Sequence, residues 1–159
     1  ATNYTKYMNI IKVTDESYLE EMVNSQVALA NETENMLLNS KTVEAGIKEV
    51  ISNPQRGTYY LALTQENKMM GMLLTLPEWS DWRCAEVTWI HSVYVIPQYR
   101  KQAVYKMLYN YLIEKVELDE NKAGIRLYVD KSNTNAINVY KKLGMSDQHY
   151  TLFEWLKDQ

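Results

Sequence analysis

The sequence predicts an α/β fold in which one mixed, largely antiparallel sheet is covered by helices on both faces. Three observations carry this. Residues 58–63 and 69–76 are apolar and aromatic runs separated by the turn-like Gln65-Glu66-Asn67-Lys68, the pattern of an antiparallel hairpin. Residues 86–95 and 125–129 read as strands flanking a helical pattern, and a crossover that long permits parallel pairing. The chain has 159 residues, 46% of them apolar or aromatic, which suits a single domain over 1–159 with a sizeable core.

Taken in order, Ile10, Ile11 and Val13 form a short first strand. Thr14 or Asp15 can cap a helix in which Leu19, Met22, Val23, Val27 and Ala30 share a face, with one polar slot at Gln26. A second helix runs over about 41–52, with Val43, Ile47, Val50 and Ile51 on its apolar face, and Pro54 stops it. After the hairpin, residues 78–84 read as a polar, aromatic loop, and 86–95 as a strand that Pro97 ends. A helix over 103–118 carries Tyr105, Leu108, Tyr109, Leu112 and Val116 on one face. Residues 133–143 form a short helix with Asn133 near its N-cap and Gly144 at its C-cap. Residues 149–155 read as a last strand. No internal repeat or linker interrupts this order.

Composition narrows the function. Seventeen Lys and Arg against 20 Asp and Glu give a formal net charge of −3, which argues against a general nucleic-acid or acidic-membrane binder. The single cysteine, Cys84, allows no internal disulfide and points to a reducing, cytoplasmic setting. No apolar run approaches the ~20 residues of a membrane span, and residues 1–7 lack the apolar core of a secretory leader. His91 and His149 lie far apart with no zinc spacing, so no metal is expected. Neither a phosphate-binding Gly-Lys loop nor a Gly-x-Ser-x-Gly elbow occurs.

Two segments carry chemistry. In Val93-Tyr94-Val95-Ile96-Pro97-Gln98-Tyr99-Arg100-Lys101-Gln102-Ala103-Val104-Tyr105 a strand ends at a proline, a loop follows, and a helix begins. Backbone N–H groups at a helix start form a nest for an anion, and Arg100 and Lys101 add positive charge, so a phosphate suits this place. In Asn133-Thr134-Asn135-Ala136-Ile137-Asn138-Val139-Tyr140-Lys141-Lys142-Leu143-Gly144-Met145, Ala136 and Tyr140 share a helix face.

These segments resemble motifs A and B of the GNAT superfamily of acetyl-CoA-dependent N-acetyltransferases. Val95, Pro97 and Arg100 match motif A, with Ala103 and Tyr105 where small residues are usual. Asn133, Ala136, Tyr140 and Gly144 match motif B, with Met145 in place of Phe. Residues 78–83 and 89–95 also resemble a bacterial subgroup. The resemblance implies the GNAT acyltransferase fold, with a strand at Val93, Tyr94 and Val95 splayed from its parallel neighbour so that its backbone pairs with the pantetheine arm. It further implies that the amides of Lys101, Gln102, Ala103, Val104 and Tyr105 hold the pyrophosphate and that Asn133 contacts the cofactor arm. Tyr140 would protonate the departing thiolate or hydrogen-bond to it. The ring of Tyr105 is tolerated if it lies in the helix–sheet interface and obstructs binding if it faces the phosphates. The acetyl donor would be acetyl-CoA, and a homodimer is common in the family.

Catalysis by direct attack needs a base, because an amine with a pKa of ~10 is protonated near neutrality. Where many members carry Glu on the splayed strand, this chain has His91, whose reference pKa of ~6.5 suits the work; Glu86 and Glu78 are reserves. His91 can equally be a structural histidine or a pocket residue. Glu78, Trp79, Asp81, Trp82 and Trp89 are candidates for the acceptor pocket, since a carboxylate among aromatic faces attracts a cationic amine; the tryptophans can also be packing anchors. The Glu32 and Glu34 pair reads as a solvated helix end. The expected activity is acetyl transfer to a primary amine of a small molecule or peptide. Two alternatives are a degenerate domain that binds acyl-CoA as a sensor and an interaction domain, the latter consistent with 13 Tyr and 4 Trp.

Overall fold

Alternating apolar runs build a five-stranded sheet in the computed structural model, which describes residues 9–157. In chain order the elements are β1 (Asn9–Lys12), α1 (Leu19–Glu34), α2 (Ser40–Ser52), β2 (Thr58–Leu63), β3 (Met69–Ser80), β4 (Ala85–Val95), a 3-10 turn (Pro97–Tyr99), α3 (Val104–Leu118), β5 (Lys122–Leu127) and α4 (Thr134–Lys142). The strands lie side by side as β1-β2-β3-β4-β5. The first four pair antiparallel, and β5 runs parallel to β4, the pairing that the α3 crossover requires. The expectation for residues 1–7 lies outside the described residues.

Strand alternation assigns the helices to faces. Tyr59, Leu61 and Leu63 of β2 and Met72 and Leu74 of β3 form one core with Met22 and Val23 of α1 and Ile47 of α2. Tyr60 projects to the other face of β2 and meets Tyr111 of α3 edge-on, with ring centroids 5.6 Å apart. Helices therefore cover both faces, as the pattern predicted. Gly71 lets α3 sit close: a Cβ there would stand 3.0 Å from Val104 Cγ1 and 3.0 Å from the Tyr94 carbonyl oxygen. The absent side chain thus seats the first turn of α3 against the end of β4.

Contacts divide the chain into two compact units, with the boundary between Arg126 and Leu127. The first holds the sheet and α1–α3. The second contains α4, whose start and end follow the sequence closely. Asn133 Oδ1 accepts the Ala136 N–H at 3.1 Å as an N-cap. Gly144 at φ +86° follows the last turn, and the Gly144 and Met145 N–H groups return to the carbonyls of Lys141 and Tyr140. That is a Schellman closure.

Two expectations are corrected. Residues 149–155 form no strand, although their apolar pattern permits one: a strand exists only through ladder bonds to a neighbour, and periodicity cannot supply the neighbour. Glu78 and Trp79 lie not in a loop but on β3, because the β3–β4 ladder continues to the pair Ser80 and Ala85. The connecting turn is only 81–84.

Candidate active site

The β3–β4 ladder contains one irregularity, and it falls on a predicted site residue. Leu74 pairs with Ser92 and Thr75 with Ile90, so His91 is the extra residue of a β-bulge. A bulge re-aims side chains and shifts the alternation. Ser92 and Tyr94 share the α1 face with Leu74, and beyond the bulge Trp89, paired with Leu76, takes that face in turn. His91 is exposed at the surface, yet the protein around it removes enough water to hold its imidazole pKa below the ordinary 6.5. Next to it, Gln26 fills the polar slot of α1. Its side-chain amide donates to Tyr59 Oη and Ser92 Oγ, both at 3.1 Å, which ties α1, β2 and β4 together beside the bulge.

Beyond the bulge, β4 outruns its parallel neighbour. The Glu86 N–H donates to the Asn121 carbonyl at 2.8 Å, which sets the level of the two strands. Counted from there, β5 ends about level with Ser92, and Val93, Tyr94 and Val95 continue past it. The chain then turns through Pro97–Tyr99 into the 100–104 loop. Lys101 (φ +62°) and Ala103 (φ +64°) both adopt the left-handed conformation, with Gln102 at negative φ between them. Alternating handedness of this kind points successive N–H groups to one side and makes an anion-binding concavity. Ala103 is also the N-cap of α3, whose first N–H groups have no acceptor within the helix. The left-handed residue explains why glycine is usual at position 103: an L side chain there costs about 1–2 kcal/mol. A loop that keeps this conformation without glycine is held by its surroundings.

Arg100 supplies part of that hold. Its Nε donates to the Val95 carbonyl at 3.0 Å, and its Nη2 lies 2.8 Å from Glu32 Oε2 in the last turn of α1. The guanidinium stacks 5.4 Å from the centroid of the Tyr94 ring, and Tyr94 Oη donates to Glu32 Oε1 at 3.2 Å. Burial, then the Glu32 carboxylate, raises the Tyr94 phenol pKa, so it remains protonated and donating. Glu32 is therefore not a solvated helix end. Lys101 enters no ion pair among the described residues, which leaves its ammonium available at the loop. Tyr105 is half-buried at the flank of the α3 stripe, and Val104 takes the fully buried position expected of it.

The acceptor candidates separate. Glu78 pairs with Arg126 at 2.5 Å and Glu86 with Lys122 at 2.6 Å, so each reserve base is held in an ion pair. Asp81 accepts the Trp82 N–H within its own turn. Trp79 and Trp82 are 65% and 87% exposed, which excludes the packing-anchor reading for both, while Trp89 is half-buried. In the second unit, Tyr140 shares the half-buried face of α4 with Ala136 and Ile137. Among the described residues there is no cluster of His, Cys, Asp and Glu that could hold a metal, and no helix long and apolar enough to cross a membrane.

Sequence reasoning missed Glu32 and the bulge. The only advance signal for this region was Gln26, a polar residue within an apolar helix face.

The acetyltransferase (GNAT) family model matches residues 23–145. No curated protein matches the chain. Among solved structures, a possible acetyltransferase from Clostridium difficile 630 is 31% identical at a TM-score of 0.89, covering 96% of this chain and 99% of that one. Aminoglycoside N-acetyltransferase AAC(6')-Iy in complex with CoA is 15% identical at a TM-score of 0.74, covering 96% of each chain. An aminoglycoside acetyltransferase from an uncultured soil metagenomic sample, in complex with sisomicin, is 14% identical at a TM-score of 0.73, covering 96% of this chain and 99% of that one.

Proposed function

Since the chain belongs to the acetyltransferase (GNAT) family and is an N-acetyltransferase, we propose that it moves the acetyl group of acetyl-CoA to a primary amine of a small molecule or peptide by direct attack. The observation that carries the donor assignment is the paired left-handed conformation of Lys101 and Ala103 at the start of α3. That loop suits a diphosphate: backbone of alternating handedness is the kind that turns N–H groups to one side, Lys101 brings positive charge, and Arg100 braces the turn from Val95. Acetyl-CoA would supply an activated thioester carbonyl and a thiolate leaving group.

The chain's own residues do the rest. The outer edge of Val93, Tyr94 and Val95 offers extended backbone past the end of β5, where an arm of amides pairs as an added strand does. Asn133 contacts that arm. His91 takes a proton from the attacking ammonium; a pKa held below 6.5 keeps its imidazole neutral and able to accept at neutral pH. Tyr140 gives a proton to the departing sulfur. Cys84 needs no role, because direct attack requires no acyl-enzyme.

Trp79, Asp81, Trp82, Glu78 and Trp89 are the acceptor-side residues of this reading, with the exposed rings of Trp79 and Trp82 and the Asp81 carboxylate attracting a cation while Glu78 stays paired with Arg126. The aminoglycoside acetyltransferases that share the fold are compatible with a small-molecule amine. The reaction belongs in a reducing compartment, and no nucleic acid or membrane takes part. The test is amine-dependent release of free thiol from acetyl-CoA across a panel of polyamines, aminoglycosides and peptide amines. At least one amine should accelerate release well above hydrolysis; a panel with no acceleration, despite bound acetyl-CoA, would refute turnover.

A further inference from the structure

Gln26 is a half-buried amide in a helix stripe whose members Met22 and Val23 are 0% and 8% exposed. A polar group in such a place costs stability unless it is hydrogen-bonded. Its side-chain nitrogen directs both hydrogens into the sheet, one to Tyr59 Oη and one to Ser92 Oγ, each at 3.1 Å. Tyr59 stands opposite Leu74, and Leu74 stands opposite Ser92. The three form one row across β2, β3 and β4, and the Gln26 amide joins the ends of that row over Leu74. The register shift of the β3–β4 ladder begins at this row.

A bulge can sit at more than one place in a ladder. With the pairs Met72–Tyr94 and Thr75–Ile90 kept, Val93 could be the extra residue in place of His91. Leu73 would then stand opposite Ser92, and Leu74 opposite His91. Opposed residues share a face of the sheet, so Ser92 would go over to the face of Leu73, away from α1. Gln26 can bond Ser92 only in the observed register, and the bond therefore favours the register that leaves His91 as the extra residue. Tyr94, two places on, is held by Glu32 of the same helix at 3.2 Å in either case.

We propose that Gln26 is a positioning residue for proton transfer, a role that rests on the reading of His91 as the base: by donating to Tyr59 and Ser92 together it holds the bulge in place and so fixes where the imidazole stands. Gln26 itself touches no reacting atom in this role.

Gln26→Leu should lower kcat by about ten- to 100-fold, since a shift of about 1 Å in a reacting group costs that much, and should leave the KM for acetyl-CoA within about two-fold. Ser92→Ala cuts the same link from the other side, so the double variant should be no slower than the slower single variant. The His91 imidazole signals in NMR spectra, told from those of His149 by His149→Gln, should move or split in Gln26→Leu. A cross-strand contact between Leu74 and His91 should appear beside that between Leu74 and Ser92. If Gln26→Leu fails to fold, Ser92→Ala alone must show both the loss in kcat and the moved His91 signals. A lower Tm with wild-type kcat, unmoved His91 signals, or losses that multiply in the double variant overturns the positioning role. Full turnover in His91→Ala overturns the base reading and this role with it. An impaired His91→Ala enzyme beside an unimpaired Gln26→Leu enzyme overturns the role alone.

Discussion

Arg100 and Glu32 are ion-paired at 2.8 Å although 68 residues separate them, and the pair fastens the end of α1 to the loop that precedes α3. Both side chains are partly exposed, so the pair itself adds under about 1 kcal/mol of stability. Its consequence is positional, because the same guanidinium donates to the Val95 carbonyl and lies over the Tyr94 ring. Glu32→Gln should weaken acetyl-CoA binding by roughly three- to ten-fold, which corresponds to about 0.7–1.4 kcal/mol. It should leave turnover at saturating donor nearly unchanged. Calorimetry and the split between KM and kcat check this; an unaltered Kd would remove Glu32 from the loop's support.

Ala103→Gly relieves a left-handed conformation that an L residue adopts at a cost. The extra freedom of glycine in the unfolded chain offsets part of that gain. A net gain of about 0.5–1 kcal/mol is expected, with Tm rising by a few degrees for a chain of this size. Ala103→Val should lower Tm instead. If Ala103→Gly destabilised the protein, position 103 would not be strained.

His91, as the proposed base, should set an acid limb. Its folded pKa lies below the unfolded value of about 6.5, so the native state favours the neutral imidazole. As pH falls below about 6.5 the unfolded chain binds the proton first, and native stability declines until the pH drops below the folded pKa. The pH profile of kcat/KM should therefore bend below 6.5, and His91→Ala should remove or displace that bend. A profile identical in the variant would exclude His91 as the base.

Tyr140→Phe deletes one oxygen from α4 and should leave the helix intact. Loss of the proposed proton donor to sulfur predicts turnover lower by about 100-fold with donor affinity nearly unchanged. Steady-state kinetics beside calorimetry separates the two quantities. Equal turnover would remove the phenol from the chemistry.

Local chemistry made much of this legible in advance. Residues 58–63 are an apolar and aromatic run and fold as the strand they predict; the Asn133 side chain caps the start of α4, and Gly144 closes its end through a left-handed backbone. The start of α3 followed from Pro97 and the motif around Arg100. What stayed hidden depends on two segments at once. The bulge at His91 is a property of the β3–β4 register, which neither strand encodes alone. The Glu32 partner lies on another element, and a glutamate near a helix end looks the same whether it is solvated or paired. Residues 149–155 show the converse: their pattern is that of a strand, but they fold as none.

The claim on which the account rests is that the 100–105 loop holds the diphosphate of the acyl donor. Calorimetric titration with CoA and, separately, with pantetheine, which lacks the diphosphate and nucleotide, tests it directly. The account predicts that CoA binds at least about ten-fold more tightly, a difference of about 1.4 kcal/mol or more, and that added salt narrows the gap. Equal affinities for the two ligands would contradict it.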